Sequence, residues 1–279
     1  MLEFSESKKS MKKIGKCRIC GEEGYLTFEH IPPRSAGNKQ EARVITNDSF
    51  TKLVTDKNRL PWDTSGIRTQ NLQKGSGCWS LCEKCNNLTG AYYGDEYVAM
   101  TKEFTCWFYN HQDEVMNNSM FECKLKIHPL RFIKQILSMF CSTTEGLTDN
   151  FPEIKEILLN KDKSINDPNF KVFMYLLRDQ TVLYTGENVI VKIFPKALIH
   201  CSEMCLFPFG FVFYFDKNSQ NDELLDITNF LSYSYDDSSI LNLTLPIKSK
   251  SVPMPLDFRD KEDYLRDKSI YKNEGDNNK

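Results

Sequence analysis

Apolar and polar positions along the chain alternate in ways that mark helices, strands and one long irregular stretch. Apolar residues at i, i+3 and i+4 predict amphipathic helices over Pro129 to Cys141 (PLRFIKQILSMFC) and Phe151 to Leu159. Runs rich in β-branched and aromatic residues predict strands at 171–177 (KVFMYLL), at Leu206 to Phe215 and at Ser239 to Pro246. Residues 182–194 read as a strand pair joined at Thr185-Gly186-Glu187-Asn188, and Asp222 to Leu231 as a further helix. Nearer the start, Tyr25 to Phe28 is a short strand, Glu41 to Thr46 another, and 66–77 should hold a strand returning to the first. A helix is expected from Asn86, with Ala91, Tyr92, Met100 and Phe104 as its buried stripe and Gly90 and Gly94 weakening it.

These elements give an α+β chain in parts. A basic lead (1–16) precedes a first unit (17–108). An α+β unit with a mainly antiparallel sheet (109–257) follows, then a charged, solvated tail (258–279). The first unit carries a polar insert at 34–80, too long for a structureless loop and read as a partly ordered excursion. The lead, with KKSMKK in it, fits either a frayed terminus or a basic arm on phosphate.

Composition narrows the class. Hydrophobic residues make up 40% of 279, enough for a sizeable core, and the formal net charge is -2. The first hundred residues hold 15 Lys/Arg against 12 Asp/Glu, and the rest 21 against 26. That asymmetry is mild, but it allows a basic face near the start. The lead lacks the apolar core of a signal peptide, and no run of about 18 apolar residues is present. A reduced, cytoplasmic protein with no membrane partner is therefore expected. In that setting the ten cysteines suggest metal ligation before disulfides.

Two C-x-x-C pairs stand out: Cys17/Cys20 in KCRICGEEG and Cys82/Cys85 in SLCEKCNNLTG. Together they are a ligand set for one tetrahedral zinc. Cys78-x-x-x-Cys82 is a competing register, and His200 with Cys201-x-x-x-Cys205 a weaker second cluster. Glu29-His30, in TFEHIPPRS between the two pairs, places an acid and a base at a strand end that a zinc knot would hold. His111, His128 and His200 read as structural or solvent-facing.

The order C-x-x-C, then E-H-I-P-P, then L-C-x-x-C-N resembles the zinc-bearing branch of the His-Asn-His (HNH) nucleases, and phage junction-resolving endonucleases in particular. The resemblance covers about residues 15 to 95. It implies a treble-clef-like ββα-metal domain around structural Zn²⁺. It also implies metal-dependent hydrolysis of phosphodiester bonds in nucleic acid, with DNA favoured. By that resemblance His30 is the general base. Glu29, where the family more often has Asp, and Asn86 hold a catalytic Mg²⁺ or Mn²⁺, with Asn87 the out-of-register competitor. Asn71 is the nearest candidate for the family's middle asparagine. Arg34, Arg68 and Lys74 are candidate phosphate contacts.

Stand-alone nucleases with an extra domain suggest, by analogy, an anti-phage defence effector, with a protein partner or second copy held through the C-terminal unit. The competing reading is a zinc-stabilised nucleic-acid- or protein-binding module without catalysis.

Overall fold

The computed structural model describes residues 13–45, 49–50, 53, 56, 59–192 and 197–267. The architecture is mixed α+β with mostly antiparallel sheets. Near the start, β1 (Lys13–Lys16), β2 (Glu23–His30) and β5 (Gly77–Cys82) form a three-stranded antiparallel sheet in the order β1-β2-β5. The 34–80 excursion contributes a separate ribbon of β3 (Ala42–Ile45) and β4 (Thr69–Leu72). The expected strand at Glu41 to Thr46 is thus present as β3, Thr46 lying outside the described residues. The strand returning to β2 is β5, later than the 66–77 window.

From β5 the chain enters α1 (Glu83–Asn110), three residues earlier than expected. Its buried line runs Cys85, Thr89, Tyr93, Tyr97, Met100, Phe104, Phe108. Ala91 and Tyr92, assigned above to the stripe, face solvent. Cys85 sets the phase: once its thiol points into the knuckle, every buried position follows at helical spacing. Gly90 and Gly94 do not interrupt the helix, because its stability comes from burial of this face rather than from propensity.

After α2 (Gln112–Asn117) and β6 (Met120–Ile127), α3 (Pro129–Thr143) crosses the middle of the molecule and is buried on all sides. The short helices α4 (Leu147–Asn150) and α5 (Pro152–Leu159) follow. The large sheet then forms from β7 (Lys171–Leu177), β8 (Val182–Tyr184), β9 (Asn188–Lys192), β10 (Ala197–Leu206), β11 (Phe209–Tyr214), β12 (Leu225–Asp226) and β13 (Ser239–Lys248). Its order is β6-β13-β7-β11-β10-β8, with β12 on β7 and β9 on β10, and only β13 and β7 pair in parallel. Both faces of β7 and β11 are covered. Val172, Met174, Phe211 and Phe213 face the cluster shared with α1 and α3, while Phe173, Tyr175, Val212 and Tyr214 face a second cluster. Burial on both sides is why these strands read as unbroken apolar runs.

Several expectations are corrected. Leu206 to Phe215 is two strands, not one, broken at Phe207-Pro208, since proline cannot continue the ladder. β8 and β9 do not pair with each other; both lie on β10, successively along it. Asp222 to Leu231 is not an α-helix. Asp226 accepts from the Thr228 amide (2.8 Å) and Thr228 Oγ1 from the Val172 amide (2.9 Å), so side chains draw this backbone onto β7 and a 3-10 turn at Thr228–Ser232 follows. The supposedly solvated tail begins with Phe258 packed edge-on against Tyr175, at 5.1 Å between ring centres. The basic lead before Lys13 and the tail beyond residue 267 lie outside the described residues. Among the described residues, no helix is long and apolar enough to cross a membrane.

Candidate functional site

The first knuckle folds on itself through short backbone bonds. The Cys17 amide donates to Glu22 O and the Gly21 amide to Cys17 O, both at 2.9 Å. Gly21 has φ +80, a left-handed turn that glycine adopts without steric cost. The second pair sits at the β5–α1 junction, with Cys82 capping α1 and Cys85 in its first turn. The sulfurs of Cys17, Cys20, Cys82 and Cys85 all lie within 4.8 Å of one another, with Cys20 and Cys82 at 3.9 Å. A tetrahedral ion with S ligands at ~2.3 Å separates its sulfurs by roughly 3.8 Å, so this set can hold one metal such as zinc. The thiols are mutually dependent. Cys17 is pushed well below the usual thiol range, first by the hydrogen bond from Cys85, and the same contact pushes Cys85 up. Four sulfurs this close cannot all ionise without a cation among them.

Cys78 is not in this group. Its thiol donates to Ser142 O at 2.9 Å, tying β5 to α3. Cys201 and Cys205 are buried in the second apolar cluster, Cys205 beside the Tyr175 hydroxyl at 3.2 Å. The four sulfurs are the only such metal-ligating group among the described residues. His200 instead meets Glu187 at 2.6 Å, His128 meets Glu96 at 2.8 Å, and His111 donates to Trp107 O at 3.0 Å.

β2 carries the remaining chemistry. Glu29 is 8% exposed, and among the described residues no donor or cation meets its carboxylate. Burial alone pushes its carboxyl up to about 7. Thr27 lies two residues earlier on β2, across an irregularity in the pairing with β5 between Thr27 and Phe28. Thr27 Oγ1 accepts from Asn86 Nδ2 at 2.9 Å and donates to Leu81 O at 2.9 Å. Asn86 is therefore tied to β2 at Thr27, and among the described residues its Oδ1 meets no donor.

His30 ends the strand on the alternate face, its ring edge-on to Phe28 at 5.0 Å between ring centres. Its Nε2–H donates to Lys74 O at 3.1 Å, an assignment that leaves Nδ1 unprotonated as the basic nitrogen. Gly77, paired with His30, is where the strands approach most closely: a Cβ there would stand 2.0 Å from Glu29 O.

Two residues after Lys74, Ser76 is held by an asparagine the sequence reading missed. Asn38 donates from Nδ2 to Pro32 O and Ser76 O (both 2.7 Å) and accepts from the Ser76 amide (2.8 Å). Ser76 Oγ also donates to Ile31 O at 2.5 Å. This clasp fixes the segment leaving His30 against the segment entering β5. Asn71, the sequence candidate for such a role, is exposed on the β3–β4 ribbon, away from the three-stranded sheet. Asn38 was hidden because it lies only eight residues after His30, inside the insert, and no spacing rule singled it out. Arg34, Arg68 and Lys74 are exposed, and among the described residues no ion pair engages their side chains. The structure thus brings together the four cysteines; Glu29 and His30 end β2, and Asn86 is bonded to Thr27 earlier on that strand. It does not bring Asn71 to them.

No protein-family model matches the chain, and neither a curated protein nor a solved structure matches it.

Proposed function

We propose that the chain is a metal-dependent endonuclease of the HNH type, its ββα-metal core formed by β2, β5 and the start of α1, acting on nucleic acid with DNA favoured. The observation that supports the reading best is Glu29: a buried carboxylate with no described partner, one residue before a histidine whose Nε2 meets the Lys74 carbonyl, on the strand to which Asn86 is bonded through Thr27. Burying a carboxylate without a donor or cation is costly, and such a group either takes a proton or takes a cation. Glu29 and Asn86 are oxygen ligands, the kind Mg²⁺ and Mn²⁺ prefer. A divalent ion held there would polarise the phosphate and offset charge on the leaving 3′ oxygen. His30 Nδ1 takes the proton of the attacking water, and the Lys74 carbonyl favours the imidazolium that results. Asn38 holds Ser76, two residues after that carbonyl. Arg34, Arg68 and Lys74 offer the backbone unneutralised positive charge. Cys17, Cys20, Cys82 and Cys85 would hold structural zinc and so fix the β5–α1 junction, four thiolates being the full ligand set of a structural rather than a catalytic site. A role as an anti-phage effector, suggested by analogy, fits this activity.

A plasmid-nicking assay with Mg²⁺ or Mn²⁺ tests the reading. His30→Ala should lower cleavage by about 10²–10⁴-fold with zinc content unchanged. Glu29→Ala and Asn86→Ala should lose activity that higher Mn²⁺ partly restores, whereas His30→Ala should show no such rescue. A wild-type protein that binds nucleic acid yet never cuts it, under either ion, would instead establish the binding-module reading.

A further inference from the structure

A cleft of about 930 Å³ opens beside the Asn38 clasp. One wall is the segment leaving β2, with Pro32, Asn38 and Glu41; a second is the end of α1, with Thr105 and Tyr109; the third is β8 and the turn after it, with Tyr184 and Glu187. It lies within the size range of pockets that enclose small organic ligands. Glu29 and Asn86 do not line it, so the cleft is distinct from the cation site proposed above.

Its chemistry is one-sided. Among the described lining residues Glu41 and Glu187 are the charged ones, and none is Lys or Arg. Glu41 is exposed, and among the described residues no ion pair engages it. Glu187 gives one oxygen to His200 Nε2 at 2.6 Å and keeps the other free. Aromatic rings complete the lining. Tyr109 is held by Gln180 Nε2, which donates to its hydroxyl at 2.9 Å, and Tyr184 is anchored through its hydroxyl to Gly77 O at 3.5 Å. Phe50 and Phe207 add apolar surface.

Carboxylates beside aromatic faces select a cation with an organic body. The carboxylates take its N–H donors and the rings attract its charge. A phosphate-bearing ligand would meet like charge with no cation among the described lining residues to offset it. A neutral nucleoside would leave both carboxylates without a counter-charge. We propose that this cleft binds a small organic cation, an amine, amidine or guanidinium carried on an aromatic or aliphatic frame. The proposal does not depend on the nuclease reading, and its test reads binding rather than cleavage.

Isothermal titration calorimetry on the full chain with zinc present decides it. The probes are benzamidine and spermidine, with adenosine, AMP and inorganic phosphate for comparison. At least one cationic probe should bind saturably at one site and weaken with added salt. Glu41→Gln and Glu187→Gln should each weaken it by roughly tenfold or more, the scale of a lost hydrogen bond to a charged group. Both side chains are at least partly solvent-exposed, so the variants should keep the wild-type circular dichroism spectrum. The proposal fails if neither cation binds saturably. It fails equally if the two variants bind as wild type does, or if AMP, phosphate or adenosine binds more tightly than both cations.

Discussion

At the scale of single residues, the structure separates side chains that look alike in the sequence. Cys78 and Cys85 both lie near Cys82, but only Cys85 turns toward the other three sulfurs, while Cys78 bonds to α3. Cys85→Ser should therefore lose bound zinc and solubility, since metal binding and folding are coupled there, whereas Cys78→Ser should keep its zinc. Metal analysis of the two purified variants checks this; the opposite pattern would restore the Cys78-x-x-x-Cys82 register. Asn38 and Asn71 form a second pair of look-alikes. Asn38→Ala removes four hydrogen bonds, three that join it to Ser76 in the segment entering β5 and one to Pro32 in its own segment. If the nuclease reading holds, cleavage should fall by about tenfold to a hundredfold, as for misplacement of a catalytic group by a neighbouring change. Zinc content should stay the same, and Asn71→Ala should cut as wild type does.

At the scale of elements, α3 is the unusual case: a helix enclosed on every side that still carries Lys134, Gln135, Ser138 and Ser142 among its buried residues. Lys134 explains its own presence. Its ammonium donates to Asn160 O at 2.9 Å and Lys161 O at 2.8 Å, closing the chain that leaves α5. Lys134→Met would leave two inward carbonyls without a donor and should cost about 1–3 kcal/mol. Burial also pushes the Lys134 amine down to about 7, from 10.5. Between those values the unfolded chain binds more protons than the folded one, so this group makes stability rise with pH from about 7 upward. Urea midpoints at pH 7 and pH 9 should therefore show the gap between wild type and Lys134→Met widening at the higher pH. A gap that narrows would mean the amine stays fully charged in the fold.

At the scale of the whole molecule, the two units expected from the sequence share one core. The apolar cluster that includes Cys17, Ile19 and Leu81 continues through Tyr97, Phe132 and Phe211 to Ile247. Tyr97 of α1 stacks on Phe132 of α3 at 6.0 Å and packs against Phe209 and Phe211 of the large sheet. Polar contacts cross the same boundary, with Arg18 donating to Ser142 O at 2.6 Å and Lys155 to Cys20 O at 2.7 Å. A fragment ending at residue 110 would expose the buried side of α1 to water. It should be insoluble or unfolded when expressed alone with zinc, as judged by gel filtration and circular dichroism. A well-folded fragment would show that the two parts are independent. On the far face of the sheet, Lys250 and Glu203 form a fully buried pair at 2.6 Å, with Tyr175 donating to the other Glu203 oxygen at 2.7 Å. With its partners satisfied, that pair fastens the segment after β13 over the second cluster.

The sequence by itself determined the features that depend on local spacing. Two C-x-x-C turns can present sulfur at i and i+3 wherever they are placed, and the four sulfurs do converge. The apolar periodicity of Pro129 to Cys141 reads as a helix and KVFMYLL as a strand, and both are present. Glu29, His30 and Asn86 were named from the order of motifs alone, and their roles belong to the proposal that the cleavage assay tests. The tertiary structure decided what depends on long-range partners. It gave the phase of α1 to Cys85 instead of Tyr92, because a ligand turned inward fixes every later position on a helix. It drew 222–231 out of a helix through Thr228 and Val172. It split Leu206 to Phe215 at Pro208 so that β11 could fold back onto β10. It also made Asn38 the clasp between the segment leaving β2 and Ser76, since such a clasp is made by whichever side chain reaches both, and no pattern within either segment records that distance.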